Sequence, residues 1–202
     1  MSVIKPVTVT LKNGASVVIE SLGEEHAAVS LAQRREAALT SPYIVSTPAD
    51  LGTDAKVQLQ VIRELRESVA GCLVGAWIDG ELVGMVGLRH DARRRLSTSG
   101  DIGMGMSAKV RGLGLGRALL SVVLDHAWKN TELTKVTLGV IPENLAAVKL
   151  YLSMGFLEEG LQRAMFRADD GRLLDHSLMA VWVKPGAAPP GFCEWKVGTS
   201  LQ

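Results

Sequence analysis

The sequence predicts a single α/β domain, and three local patterns carry that reading. Asn13-Gly14 and Asp79-Gly80 each lie between runs rich in β-branched and apolar residues, the signature of a tight β-hairpin. Gly112-Leu113-Gly114-Leu115-Gly116 passes straight into an apolar repeat of helical period. Lys-Val-Thr-Leu-Gly-Val-Ile from Lys135 reads as a buried strand, and Asn144 opens a helix a few residues later.

The chain has 202 residues, 47% hydrophobic and 21% charged, enough for one domain with a substantial core. That domain is expected over residues 1–184, followed by a Pro/Gly-rich tail over 185–202. A net charge of +1 gives no reason to expect a nucleic-acid partner. Cys72 and Cys193 are far apart and belong to no Cys/His cluster, so neither a metal site nor a disulfide framework is expected. The first residues lack the apolar core of a secretion signal, and no apolar run reaches membrane-spanning length. A cytoplasmic protein without a membrane partner is expected.

The elements follow in order. Residues 7–11 and 16–20 form the first hairpin, and residues 24–39 and 54–69 have helical composition. The linker between those helices, residues 40–48, holds two prolines and Tyr43. Residues 73–78 and 81–90 form the second hairpin, turning on Asp79-Gly80. Residues 91–99 form a loop whose Arg93-Arg94-Arg95 is either solvated or a site for an acidic group. A strand from about 100 to 106 leads to the glycines. In the tail, Phe192 and Trp195 are available to pack on the domain or on a partner subunit.

The glycine segment is the most informative. Alternate glycines permit backbone conformations closed to other residues and leave the amides uncovered. Leu115, Ala118, Leu119, Val122 and Val123 then mark one face of a helix, opposed by Arg117, Ser121, Asp125 and Lys129. A helix start offers unpaired N–H groups and a positive dipole end to an anion. Arg111 and Arg117 add cations suited to phosphate. The segment reads as a pyrophosphate cradle, the alternative being a glycine-rich tight turn before a core helix. It is not a Walker loop, because it ends Gly-Arg-Ala. Nor is it the dinucleotide fingerprint, whose last glycine would fall on Arg117 or Leu119.

Arg111-x-x-Gly114-x-Gly116 resembles the acyl-coenzyme A loop of the GNAT superfamily of N-acetyltransferases. Asn144, Ala147, Leu150, Tyr151, Gly155 and Phe156 resemble, in register, a second motif of that superfamily. Upstream, residues 101–106 align with the strand leading into the loop. Downstream, Glu159-Gly160, Arg163, Gly171-Arg172, Asp175 and Met179 resemble the last hairpin of bacterial amino-group and ribosomal-protein N-terminal acetyltransferases. The resemblance covers about residues 73–183.

The resemblance implies a mixed, mostly antiparallel, twisted sheet with helices on both faces, and acetyl-coenzyme A as co-substrate. It implies that Met104, Gly105 and Met106 pair with the pantetheine arm. Arg111, Gly112, Leu113, Gly114, Leu115, Gly116, Arg117 and Asn144 would complete the cofactor site. Tyr151 stands where the superfamily protonates the departing sulfur. Asp101 stands where an acidic general base is often found, with Glu20, Glu81, His90 and His176 as rivals. The acceptor would be a small-molecule amine or a peptide N-terminus, and a homodimer remains open. The alternative is a non-catalytic acyl-coenzyme A sensor or interaction module that keeps the fold.

Overall fold

The computed structural model describes residues 3–197, so Met1, Ser2 and the last five residues of the predicted tail lie outside the described residues. The chain alternates strands and helices in the order β1 (Val7–Thr10), β2 (Ser16–Ser21), α1 (Ala27–Leu39), α2 (Pro48–Leu51), α3 (Ala55–Glu67), β3 (Cys72–Ile78), β4 (Glu81–His90), β5 (Ser99–Met106), α4 (Leu115–Asn130), β6 (Lys135–Val140), α5 (Leu145–Ser153), β7 (Leu157–Arg167) and β8 (Leu173–Trp182). The strands form one sheet in the order β1-β2-β3-β4-β5-β6-β8-β7. Every neighbouring pair is antiparallel except β5 and β6. This is the mixed, mostly antiparallel sheet that was expected.

Both Asn-Gly and Asp-Gly signals mark hairpins. Val9 pairs with Val17 across the first, and Ile78 with Glu81 across the second. The helices also begin close to where their composition places them, with small adjustments. The first expected helix opens as a 3-10 turn over Glu24–His26 before α1 begins at Ala27. Asp54 caps α3, its carboxylate accepting from the Lys56 amide at 2.9 Å. At the end of the linker begins a short helix that composition did not reveal. Pro48 sits in the first turn of α2, and Thr47 and Asp50 bond each other's backbone amides in a capping box.

Helices lie on both faces of the sheet. Leu115, Leu119, Leu120, Val123 and Leu124 of α4 are buried with Val74, Val86, Leu88, Ile102 and Leu138, and α5 adds Tyr151 to this larger core. On the opposite face a smaller cluster gathers Ile62 and Leu65 of α3 with Leu22, Leu73, Leu82 and Met85. That second layer leaves a cavity above β4 and β5, described below. Among the described residues no helix is long and apolar enough to cross a membrane.

The tail folds back on the domain. Trp195 is 4% exposed, its amide donates to the Trp182 carbonyl at 2.7 Å, and its indole N–H donates to Asp125 at 2.9 Å. Phe192 stacks at 4.7 Å, tilted, on Trp182. A ring of that size, fully buried and hydrogen-bonded, contributes far more than a solvated tail could. Trp195→Ala should therefore destabilise the domain by about 3–5 kcal/mol in urea unfolding, the range for deleting a buried aromatic ring. A loss below about 1 kcal/mol would show that the tail only rests on the surface.

Candidate active site

The sheet comes apart where the parallel pairing of β5 with β6 ends. β5 and β6 pair at Ser99–Lys135, Gly100–Val136 and Asp101–Thr137, then separate although both strands continue. β5 stays paired with β4 along its length, as far as Gly84–Met106. The Ser107 amide donates to the Val83 carbonyl at 2.8 Å, so the odd-numbered residues of β5 bond β4. By alternation, Ile102, Met104 and Met106 turn their backbone groups toward the gap. The Met106 carbonyl is taken by the Arg111 guanidinium at 3.0 Å. Beyond the last β5–β6 pair, the Met104 groups and the Met106 amide form a strand edge that can accept another extended chain.

The glycine loop closes one end of that gap. Gly112 and Gly114 have φ of +75° and +97°, the left-handed region in which a side chain is strained. Gly114 caps α4 without a side chain, and the first amide of this turn to find a helical acceptor is Ala118, on the Gly114 carbonyl. Among the described residues, the amides from Gly112 to Arg117 have no backbone acceptor outside the helix ladder. At Gly116 the surrounding parts converge. A Cβ there would lie 2.9 Å from Leu150 of α5, 3.1 Å from Met106 and 3.6 Å from Met104. The loop, the free edge of β5 and α5 thus meet at one point.

The two arginines assigned to the loop are engaged elsewhere. Arg111 donates to the Thr40 carbonyl and hydroxyl, both at 2.7 Å, which fastens the end of α1 beside β5. Arg117 donates to Ser153 at 2.6 Å, which joins α4 to α5. What the loop presents to an anion is chiefly backbone N–H, as at other helix starts.

Tyr151 and Asn144 both lie on α5. Asn144 caps the helix, accepting from the Ala147 amide at 3.3 Å. Tyr151 is 8% exposed, its ring edge-on to Phe156 at 5.9 Å. Among the described residues no hydrogen bond engages its hydroxyl. Burial pushes the phenol up to about 12, so it is protonated throughout the neutral range.

Asp101 stands at the point where the strands part. The Thr137 hydroxyl is shared between the Gly100 carbonyl at 3.1 Å and the Asp101 carboxylate at 3.2 Å. Desolvation against the sheet lifts the carboxyl above its ordinary value, opposed first by the Thr137 bond and then by the charges of Arg89 and His176. His176 lies on the same face. Its Nδ1 is 3.0 Å from the Gln162 amide oxygen, and a side chain at Gly139 would collide with its ring. Of the other rivals, Glu81 is paired with Lys109 at the hairpin, and His90 lies near Ser68 at 3.5 Å. Glu20 is on β2, opposite Gly75 of β3, with β3 and β4 between it and β5. Arg93 is spent on Asp91 at 2.5 Å.

A cavity of about 190 Å³ opens on this face, floored by Gly87, Gly103 and Gly105 and roofed by α1, α2 and α3. Arg34, Gln58 and Arg89 line it. These three were not singled out in the sequence, because they come from two helices and a strand and form no motif. Arg34 and Gln58 read there as ordinary polar positions of helices.

Residues 38–156, more than half of the chain, match the model of the acetyltransferase (GNAT) family. The chain belongs to that family. It is similar to the N-alpha-acetyltransferase RimI of Mycobacterium tuberculosis, 36% identical over 46% of this chain and 57% of that protein. The chain spans just over half the length of the curated relatives it matches, 56% and 57% in two cases. Among solved structures, a GNAT acetyltransferase from Streptococcus pneumoniae superposes with a TM-score of 0.78 at 24% identity, covering 83% of this chain and 99% of that one. YncA of Salmonella typhimurium, solved with acetyl-CoA, gives 0.75 at 20% identity, covering 87% and 98%. At such identities these two likenesses speak for the fold.

Proposed function

We propose that this chain transfers the acetyl group of acetyl-coenzyme A to a primary amine. The observation that carries the reading is the free backbone edge of β5 beside the glycine loop. The residues fit the co-substrate: an extended arm finds ladder partners at Met104 and Met106, and a diphosphate finds the uncovered amides from Gly112 to Arg117. Gly112 and Gly114 have nothing within 4 Å of where a Cβ would stand, so the cradle is open to a ligand. Acetyl-coenzyme A, when bound, supplies an activated acyl group and a thiolate leaving group.

The chain's own residues supply the proton traffic. An amine is protonated at neutral pH and must lose a proton before it can attack. Asp101, at the apex of the gap, accepts that proton directly or through water. Desolvation lifts its carboxyl above the ordinary value, so it holds a proton more tightly than an exposed Asp does. Tyr151, held protonated by burial, donates its hydroxyl hydrogen to the sulfur as negative charge develops there. Asn144 fixes the first turn of the helix that carries Tyr151.

Two variants test these roles. A base must be ionised to work, so turnover should rise with pH through the elevated Asp101 pKa and level off above it. Asp101→Asn should remove that rise, depress turnover by about 10²-fold at the acid end, and recover partly at high pH, where free amine forms unaided. An unchanged pH–rate profile would move the role to His176 or to solvent. Tyr151→Phe keeps the ring and removes one oxygen, so kcat should fall by about 10²-fold with KM for acetyl-coenzyme A little changed. Turnover within about threefold of wild type would make Tyr151 a packing residue. A sensor without catalysis would bind acetyl-coenzyme A and release no coenzyme A with any amine.

A further inference from the structure

Among the described residues, the cavity over β4 and β5 is lined by two guanidinium groups and by no carboxylate. Arg34, half-buried on α1, makes one side-chain bond, donating to the Gln58 amide oxygen at 2.8 Å. That bond fixes the orientation of the Gln58 amide. Its nitrogen, in a side chain 1% exposed, has no hydrogen-bond partner although the residue lines the cavity. Arg89 reaches the same space from β4 and is the cross-strand neighbour of Asp101. Among the described residues neither arginine forms an ion pair. Burial, and secondarily the charge of Arg89, already work against the cationic form of Arg34. An arginine cannot relieve this by giving up its proton, so the arrangement is relieved by an anion instead.

Resting on the acetyl-transfer reading above, we propose that the acceptor is an amine bearing its own carboxylate, an amino acid or close analogue. The carboxylate sits among Arg34, Arg89 and the Gln58 amide nitrogen, where planar guanidinium groups match its two oxygens. The amine then lies over the glycine floor toward the edge of β5 and Asp101, a short distance away. Gly103 has nothing within 4 Å of its missing Cβ, which leaves the substrate room against the strand. Ile44, Val61, Leu65 and Met85 on the remaining wall favour an apolar side chain. A polyamine fits poorly, because its second cation would enter beside two arginines.

The test is a calorimetric titration of the full chain, with and without coenzyme A, using L-leucine, L-methionine and their amides, with spermidine and a short peptide for comparison. The acids should bind, and be acetylated, roughly 10²-fold better than their amides, since the amide leaves the charged donors unpaired. Arg89→Gln, at an exposed position that should fold normally, and Arg34→Gln should each erase most of that preference by raising KM for the acids. Affinity for coenzyme A should be unchanged in both. Amides, spermidine or the peptide binding as well as the acids would overturn the proposal, as would failure of the acids to bind. If the acids bind but coenzyme A does not, the carboxylate site stands and the acetyl-transfer reading falls.

Discussion

The site depends on one structural constraint: β5 cannot remain paired with β6 beyond Asp101. At the apex the two strands are held tightly. The Thr137 hydroxyl reaches the Gly100 carbonyl, and a side chain at Gly100 would press on Leu88 and Leu133 at 2.8 and 3.0 Å. Beyond it, Met104 and Met106 extend toward Gly116 and Leu150, so the junction of α4 and α5 is packed against β5 itself. The backbone exposed by this parting would be costly if it stayed buried and unpaired, and a ligand that completes the ladder removes that cost. The same parting puts Asp101 at the apex, on the face that carries the cavity.

Side chains on the two faces of β5 divide the work. The even-numbered methionines pack toward the glycine loop and α5, while the odd-numbered glycines leave the opposite face bare beneath α1 and α3. A strand with large residues at both parities would fill one space or the other. The arginines are divided too. Arg111 and Arg117 hold elements together, whereas Arg34 and Arg89 face the cavity. The arginines beside the glycine loop thus also brace the scaffold, and the arginines that formed no motif line the cavity.

Much of the fold was legible in local chemistry. The Asn-Gly and Asp-Gly turns, the glycine loop before α4 and the Asn144 cap are decided within a few residues, and each marks its element. The short α2 was missed because a single capped turn has no periodicity to read. The packing of Trp195 was left open because a Pro/Gly-rich approach says nothing of where its end docks. The cavity residues were invisible for another reason. Arg34, Gln58 and Arg89 are brought together by the crossing of α1 and α3 over β4, and no spacing along the chain encodes that meeting.

The proposed function requires the free edge of β5 and the amides of the glycine loop to receive one extended ligand. Backbone amide resonances of the chain, followed through a titration with acetyl-coenzyme A, test it directly. Large shifts and slowed hydrogen exchange are expected at Met104, Met106 and the amides from Gly112 to Arg117, with Gly103 and Gly105, bonded to β4, moving less. Saturable binding that leaves Met104 and Met106 unperturbed, or that shifts β1 and β2 instead, would contradict it.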